Sequence, residues 1–257
     1  MFHPIGGVVL VRGRRYIMIS MVALSDVPLN SFVWTMGSIA CFMLFYRSYA
    51  SYRRSRNELS KYLAWFGLLM GIGQALLALP SFITLDTDVL RITYLMAEFM
   101  IYGSAVAQAA VLWCLVLRSH VSIYAATVPI GLLGLASWLY AIPRSTLEIS
   151  DGFINYRDPA FSTAVIGLVL MGLFIPVGIY FLRSARQQTD TKAILTSLTL
   201  GLVYIGVGFF TGGIELITGQ VITPVSAVFD LAFFTVMAGV LLWPHRAAVR
   251  AVSTTLH

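Results

Sequence analysis

Seven long apolar runs dominate this chain, and they restrict it to structures that a lipid bilayer can hold. A helix needs about 20 predominantly apolar residues to cross roughly 30 Å of hydrocarbon. The runs cover residues 29–46, 62–84, 92–117, 121–142, 159–182, 193–217 and 222–243. Only 11% of the residues are charged, against about 25% in soluble domains, so water cannot solvate most of the surface. The sequence therefore predicts an all-α polytopic integral membrane protein, a bundle of seven transmembrane helices.

The charges between the runs alternate along the chain. The first, third and fifth connections and the C-terminal tail are basic, whereas the second is acidic, the fourth is mixed and the sixth is uncharged. The first connection contains Arg47, Arg53, Arg54, Arg56 and Lys61, and the second contains Asp86 and Asp88. Because cytoplasmic loops carry the excess of Lys and Arg, we expect a plasma or inner membrane protein with its N-terminus outside and its C-terminus in the cytoplasm.

Short segments flank the seven-helix domain of residues 29–243. Residues 244–257 are expected to form a basic cytoplasmic tail. Residues 1–28 form an N-terminal tail that carries three arginines, in conflict with a location outside the cell. Either this tail crosses the membrane despite its charge, or the natural start is Met18 or Met21.

Spans one to three resemble spans five to seven in layout. In each set an apolar helix ends at Arg-Ser, a cytoplasmic loop with a lysine follows, and the third helix contains one acid. The matching pairs are Arg47 and Arg183, Lys61 and Lys192, and Glu98 and Asp230. This layout predicts parallel three-helix repeats joined by span four, a 3+1+3 plan that suits small carriers. The alternative is that any seven-span chain yields such matches.

Two acids inside predicted spans, Glu98 and Asp230, are the first candidates for function. An ionisable group in a span costs roughly 2.5–3.5 kcal/mol, so it is usually retained for a reason. The candidates for binding a ligand or a proton are Glu98, Asp230, Glu215, Gln74, Tyr94, Tyr102, Gln108, Tyr204 and Thr211. They predict a polar cavity in the outer half, lined by spans two, three, six and seven. The competing interpretation is a set of interhelical hydrogen bonds, or an acid paired with Arg91.

Two pairs of glycines are spaced four residues apart. This small-xxx-small pattern lets helix backbones approach closely. We therefore interpret Gly67, Gly71, Gly208 and Gly212 as helix-packing residues.

Several functions require residues that this sequence does not provide. Residues 228–234 resemble the retinal-binding region of microbial rhodopsins, but Phe234 stands where the Schiff-base lysine would be. Neither retinal nor another cofactor is expected. No His, Cys, Asp or Glu cluster has metal-ligand spacing, and no nucleophile–base set indicates an enzyme. The basic residues are divided among short loops, which argues against nucleic acid as a partner.

Three features resemble the bacterial seven-transmembrane sensor modules found at the N-terminus of some histidine kinases and diguanylate cyclases. A short apolar helix precedes an Arg-rich loop, Arg183-Ser-Ala-Arg186-Gln-Gln leads into a Gly-rich sixth span, and Gly219-Gln-Val-Ile-Thr-Pro224 precedes the seventh. The resemblance implies a receptor or sensor that binds its ligand in the outer half. Those modules continue into a cytoplasmic catalytic domain, whereas this chain ends shortly after Trp243.

We therefore expect a sensor-like module in the lipid bilayer that acts through a separate signalling partner. The alternative is a small-solute or proton-coupled transporter that uses Glu98 and Asp230 as its acids. The sequence predicts no oligomeric state.

Overall fold

The computed structural model describes residue 22, residues 24–150 and 152–218, and five helical residues of the predicted seventh span. These five are Phe229, Ala232, Phe233, Thr235 and Val236. Asp230, Phe234, the alternative start sites and both tails lie outside the described residues.

The described chain is mostly helical. The elements are α1 (Leu29–Ser55), α2 (Glu58–Ala78), α3 (Thr87–Leu112), α4 (Ile123–Ala141), β1 (Thr146–Ser150), β2 (Phe153–Arg157), α5 (Ala160–Ala185), α6 (Thr191–Gly206) and α7 (Gly213–Thr218). A 3-10 turn, Leu79–Phe82, follows α2, and π-helical turns follow α3 (Trp113–Leu117) and α6 (Val207–Gly212). Six helices in this part of the chain are long and apolar enough to cross a membrane, which confirms the helical, membrane-embedded character of the prediction.

Polar residues just outside the apolar runs begin four of these helices. The side chains of Asn57, Asp86, Ser122 and Asp190 each accept a hydrogen bond from a backbone N–H in the first turn of the helix that follows. Such caps satisfy donors that have no partner within the helix. The caps fix the residue at which each of these helices begins.

The first helix extends well beyond the predicted first span. The apolar run stops at residue 46, but α1 continues to Ser55 and carries Arg47, Arg53 and Arg54. Charge marks the point where a helix leaves hydrocarbon, whereas backbone hydrogen bonding can continue into water. The first connection is therefore shorter than the charge pattern suggested.

The connection between α4 and α5 departs from the all-α prediction, because β1 and β2 form an antiparallel hairpin in which Ile149 pairs with Ile154. Gly152 at the turn has a φ of 74°, a conformation that glycine adopts without strain. The inward side chains Ile154 and Tyr156 are fully buried. We call this end of the bundle the hairpin end, and the opposite end, which carries residues 56–57 and 118–122, the basic end.

Two apolar clusters fill the interior. One lies toward the basic end and includes Phe66, Phe174 and Tyr204. The other joins α1, α2 and α3 to the hairpin through Trp34, Leu90, Tyr94, Ile154 and Tyr156. The hairpin is thus part of the folded core at its end of the bundle.

Candidate functional site at the hairpin end

One face of α3 carries a line of buried polar side chains. Tyr94, Glu98 and Tyr102 follow each other at intervals of four residues, and all three are at most 5% exposed. Residues spaced by four lie above one another on a helix. The structure therefore places this predicted stripe in the interior of the bundle.

The connection between α4 and α5 supplies a second acid to this stripe. Asp158, directly after β2, is 9% exposed. The Tyr94 hydroxyl donates to Asp158 Oδ2 at 2.7 Å, and Ser145 Oγ lies 2.5 Å from Asp158 Oδ1. Three elements therefore meet at one carboxyl: α3, the segment after α4, and the end of the hairpin.

Glu98 lies beside this carboxyl and is 2% exposed. The Asp158 carboxyl and the Tyr102 hydroxyl are its polar neighbours, and neither Glu98 oxygen makes a hydrogen bond of standard length and angle to the described residues. The Tyr102 hydroxyl instead bonds to Ser137 Oγ of α4 at 2.6 Å. We call Glu98 and Asp158 the carboxyl pair.

No cation balances the carboxyl pair within the described part of the chain. The cation nearest to Glu98 in sequence, Arg91, donates from Nη2 to the Ile142 carbonyl at 2.8 Å. The ion pairs found there, Arg118–Glu58 and Arg157–Glu148, involve other residues. The predicted alternative in which Arg91 pairs with Glu98 is therefore wrong. Two unbalanced buried carboxylates about 4 Å apart would repel by about 4 kcal/mol at an effective dielectric of 20.

Burial raises the pKa of the Asp158 carboxyl above its ordinary value of 3.8, because desolvation disfavours the charged form. Hydrogen bonds from Ser145 and Tyr94 stabilise the carboxylate and oppose this rise only in part. Burial also raises the pKa of the Tyr156 hydroxyl above its ordinary value of 10.0. The connection between α4 and α5 thus presents a neutral phenol and an acid that holds its proton more tightly than an exposed aspartate.

The stability of the protein should therefore depend on pH through Asp158. An acid whose folded-state pKa is raised contributes stability that is complete below its unfolded-state pKa and is lost as pH rises through the folded-state value. We expect the melting temperature in detergent to fall as the pH rises above the ordinary aspartate pKa and through the raised folded-state pKa of Asp158, and Asp158→Asn to flatten this slope. The exposed acid Asp88 provides the control, since Asp88→Asn should keep the wild-type slope. Equal slopes in wild type and Asp158→Asn would contradict the assignment.

The hairpin is fastened to the helices on both sides of the carboxyl pair. Asn30 of α1 donates from Nδ2 to the Ile154 carbonyl at 2.8 Å and accepts from the Ile154 N–H at 3.3 Å. The ring of Tyr156 stacks on Tyr94, with centroids 4.1 Å apart and an angle of 10° between the planes. Its hydroxyl is buried without a hydrogen-bond partner among the described residues. Movement of the hairpin would expose both acids, because Asp158 belongs to the same connection.

The other predicted site residues that the structure describes are buried as well. Gln108 is fully buried beside the Tyr204 hydroxyl. Gln74 and Thr211 are also buried. The side chain of Glu215 and the whole of Asp230 lie outside the described residues. Glu98 itself lies beside Asp158 of the connection between α4 and α5, a residue that does not belong to the predicted cavity between spans two, three, six and seven.

The four predicted packing glycines lie at close helix contacts. A Cβ at Gly67 would lie 2.8 Å from the Cys41 carbonyl oxygen, and one at Gly71 would touch the Phe42 ring. On α6 and its π-helical continuation, Gly208 meets Ile175, and a Cβ at Gly212 would lie 2.8 Å from the carbonyl oxygen of a further glycine, Gly167.

Sequence reasoning missed Asp158, which was counted among the mixed charges of the fourth connection. The sequence just before Asp158 nevertheless contains a pattern that indicates a β-hairpin. Asp151-Gly152 is a common hairpin-turn dipeptide, and polar and apolar residues alternate on both sides of it, in Thr146–Ser150 and in Ile154–Arg157. A hairpin prediction would have brought Asp158 back to the membrane surface, although not to Glu98 specifically.

No family model matches this chain, and no curated protein matches it. Within the described residues, no group of three or more His, Cys, Asp or Glu side chains is arranged to hold a metal ion. The candidate site therefore rests on its own geometry: two adjacent buried carboxyls, the hydroxyls of Tyr94, Tyr102 and Ser145 beside them, and a hairpin that packs on Tyr94.

Proposed function

We propose that this chain is a sensor-like membrane module that detects a change at its outer surface and passes it to a separate partner protein, with no catalytic role of its own. The single observation that carries the proposal is the attachment of the hairpin to α3 through Asp158 and Tyr94, directly above Glu98. Because the hairpin is held at a pair of titratable acids, a change in their protonation would change the position of the hairpin. The resemblance to bacterial seven-span sensor modules supports the same class.

The movement of the hairpin would follow from a change in the charge of the carboxyl pair. With one proton shared between Glu98 and Asp158, the pair carries a single charge, and the hydroxyls of Tyr94 and Ser145 solvate it. Loss of that proton leaves two like charges, and no cation of the described residues faces them, since Arg91 is bound to the Ile142 carbonyl. Water must then reach the acids, and lifting the hairpin is the shortest route. Tyr102 and Tyr156 complete the set of titratable groups around the pair.

The orientation of the chain belongs to this proposal. The loop charges support the hairpin end outside and the basic end in the cytoplasm. A seventh span, and repeats in which Glu98 and Asp230 correspond, are the fuller architecture that we propose. The partner protein would then bind at the basic end and receive the signal there.

A proton-coupled transporter is the second candidate. The observation that favours it is Glu98, whose oxygens have no hydrogen-bond partner in the described interior, because an alternating-access acid must exchange its proton with both sides. A transporter moves protons or solute across a sealed membrane, whereas a sensor changes shape without flux.

Cysteine labelling in proteoliposomes separates the two candidates. The native cysteines are first replaced, and a single cysteine is then introduced by Ile154→Cys, at a fully buried position of the hairpin. This cysteine should be protected from an impermeant maleimide at acidic pH and should react with it as the pH rises. A cysteine introduced by Asp88→Cys should react at every pH. One introduced by Arg54→Cys should not react with reagent added outside at any pH, and this pair of results also tests the orientation. A pH dye inside the vesicles should record no flux. Flux with no change at Ile154→Cys would support the transporter and contradict the sensor.

A further inference from the structure

The helix α4 is packed against the bundle over only half of its length. Its buried residues, Gly134, Ser137 and Ala141, all lie toward the hairpin end. There α4 approaches α3 closely, since a Cβ at Gly134 would lie 2.8 Å from the ring of Tyr102. Toward the basic end, Tyr124 and Val128 are 74% and 49% exposed. The helix therefore diverges from its neighbours as it approaches the basic end.

This divergence leaves a groove of about 390 Å³ between α2, α3 and α4. Its walls are apolar and aromatic, and small residues of α3 make its floor. The groove is lined by Tyr62, Trp65, Leu69, Val106, Ala110 and Tyr124, among others. Its lining residues on α2 extend from Tyr62 to Leu69, about two helical turns, so the groove suits part of a flexible hydrocarbon chain that enters from the basic end.

The mouth of the groove carries more positive than negative charge. The Lys61 ammonium lies 5.4 Å from the centre of the Tyr62 ring, and the Arg118 guanidinium lies 5.7 Å from the centre of the Trp113 ring. Arg118 is also 3.9 Å from Glu58, but these side chains are 60% and 50% exposed. A solvent-exposed pair at this distance contributes little, so Arg118 remains able to bind another anion.

We propose that this groove binds one acyl chain of an anionic phospholipid whose headgroup lies between Lys61 and Arg118. Basic pockets between transmembrane helices on the cytoplasmic side recognise anionic headgroups. The long side chains of Lys and Arg can reach the interface while their stems stay in apolar surroundings. This site is separate from the carboxyl pair, which lies at the opposite end of α3, and it does not depend on the sensor proposal.

Native mass spectrometry of the purified full chain, titrated with phosphatidylglycerol or phosphatidylcholine, tests this site. Wild type should bind one phosphatidylglycerol at least about tenfold more tightly than phosphatidylcholine, and Lys61→Gln with Arg118→Gln should remove that preference. Lys61→Arg should retain it. Arg183→Gln with Arg186→Gln, exposed positions at the same end, should leave both affinities unchanged.

A second pair of variants tests the groove itself. Gly103→Leu should fill the groove and abolish binding of both lipids, and its first added carbon meets Leu69 only at an ordinary 3.4 Å. The matched control is Gly172→Leu on α5, where no described atom lies within 4 Å. Circular dichroism and gel filtration establish that each variant is folded. Equal affinity of wild type for the two lipids, or equal losses in the groove variants and their controls, would overturn the proposal.

Discussion

Replacing Gly178 by alanine should destabilise the bundle by roughly 1–3 kcal/mol. The methyl group would lie 2.6 Å from Ile205 Cγ1, 2.7 Å from the Gly201 carbonyl oxygen and 3.0 Å from the Ile205 backbone nitrogen. Two of these atoms belong to the backbone of α6, so they cannot move aside without separating α5 from α6. Alanine has the higher helix propensity by about 1 kcal/mol, which offsets only part of the loss. Denaturant titration in mixed micelles measures the difference.

Gly172→Ala on the same helix is the matched control. No described atom lies within 4 Å of a Cβ added there, so the propensity gain of up to about 1 kcal/mol should appear without a clash. The two substitutions change the same atoms in the same helix, and only their surroundings differ. Equal effects of the two would show that α5 and α6 do not pack through Gly178.

Replacing Glu98 by glutamine should abolish the response of the hairpin to pH while leaving the fold intact. Glutamine keeps the shape of the side chain and removes its charge. Because neither Glu98 oxygen accepts a hydrogen bond from a described residue, the substitution leaves no donor there without its partner. Hydrogen bonds between membrane helices average only about 0.6 kcal/mol, so we expect a change in stability below about 1 kcal/mol. A single remaining acid at Asp158 has no like charge to repel.

The control for this variant is Glu58→Gln, at the opposite end of the bundle, where the acid is half-exposed beside Arg118. It should keep the full pH response of the hairpin. A marked loss of stability in Glu98→Gln would instead favour the competing interpretation, in which Glu98 serves only to hold the helices together.

The six described spans could be predicted from the sequence because hydrophobic length is a local property. The ends of the helices were harder to place. Arg53 and Arg54 lie in α1, yet the charge pattern placed them in a loop, since charge reports contact with water and not the state of the backbone. Glu98 could also be identified from the local sequence, because burying an acid in an apolar span costs free energy wherever its side chain packs.

The partner of Glu98 could not be predicted in this way. Sixty positions separate it from Asp158, and no helical or strand periodicity connects the two. Their contact depends on how α4 tilts and on how the hairpin folds back between α1 and α3. Tyr94 illustrates the same limit: its spacing indicated that it faces inward, but not that it would donate to an acid in the connection between α4 and α5.

The distance between the hairpin and the start of α3, measured as a function of pH, tests the central claim most directly. Nitroxide labels at Ile149→Cys and Asp88→Cys, both exposed positions of the hairpin end, report this distance by double electron–electron resonance. Wild-type protein should show one short distance at acidic pH and a second, longer one that gains population as pH rises. The double variant Glu98→Gln with Asp158→Asn should keep the short distance throughout. A distance that is independent of pH in the wild type, or the same shift in the double variant, would contradict control of the hairpin by the carboxyl pair.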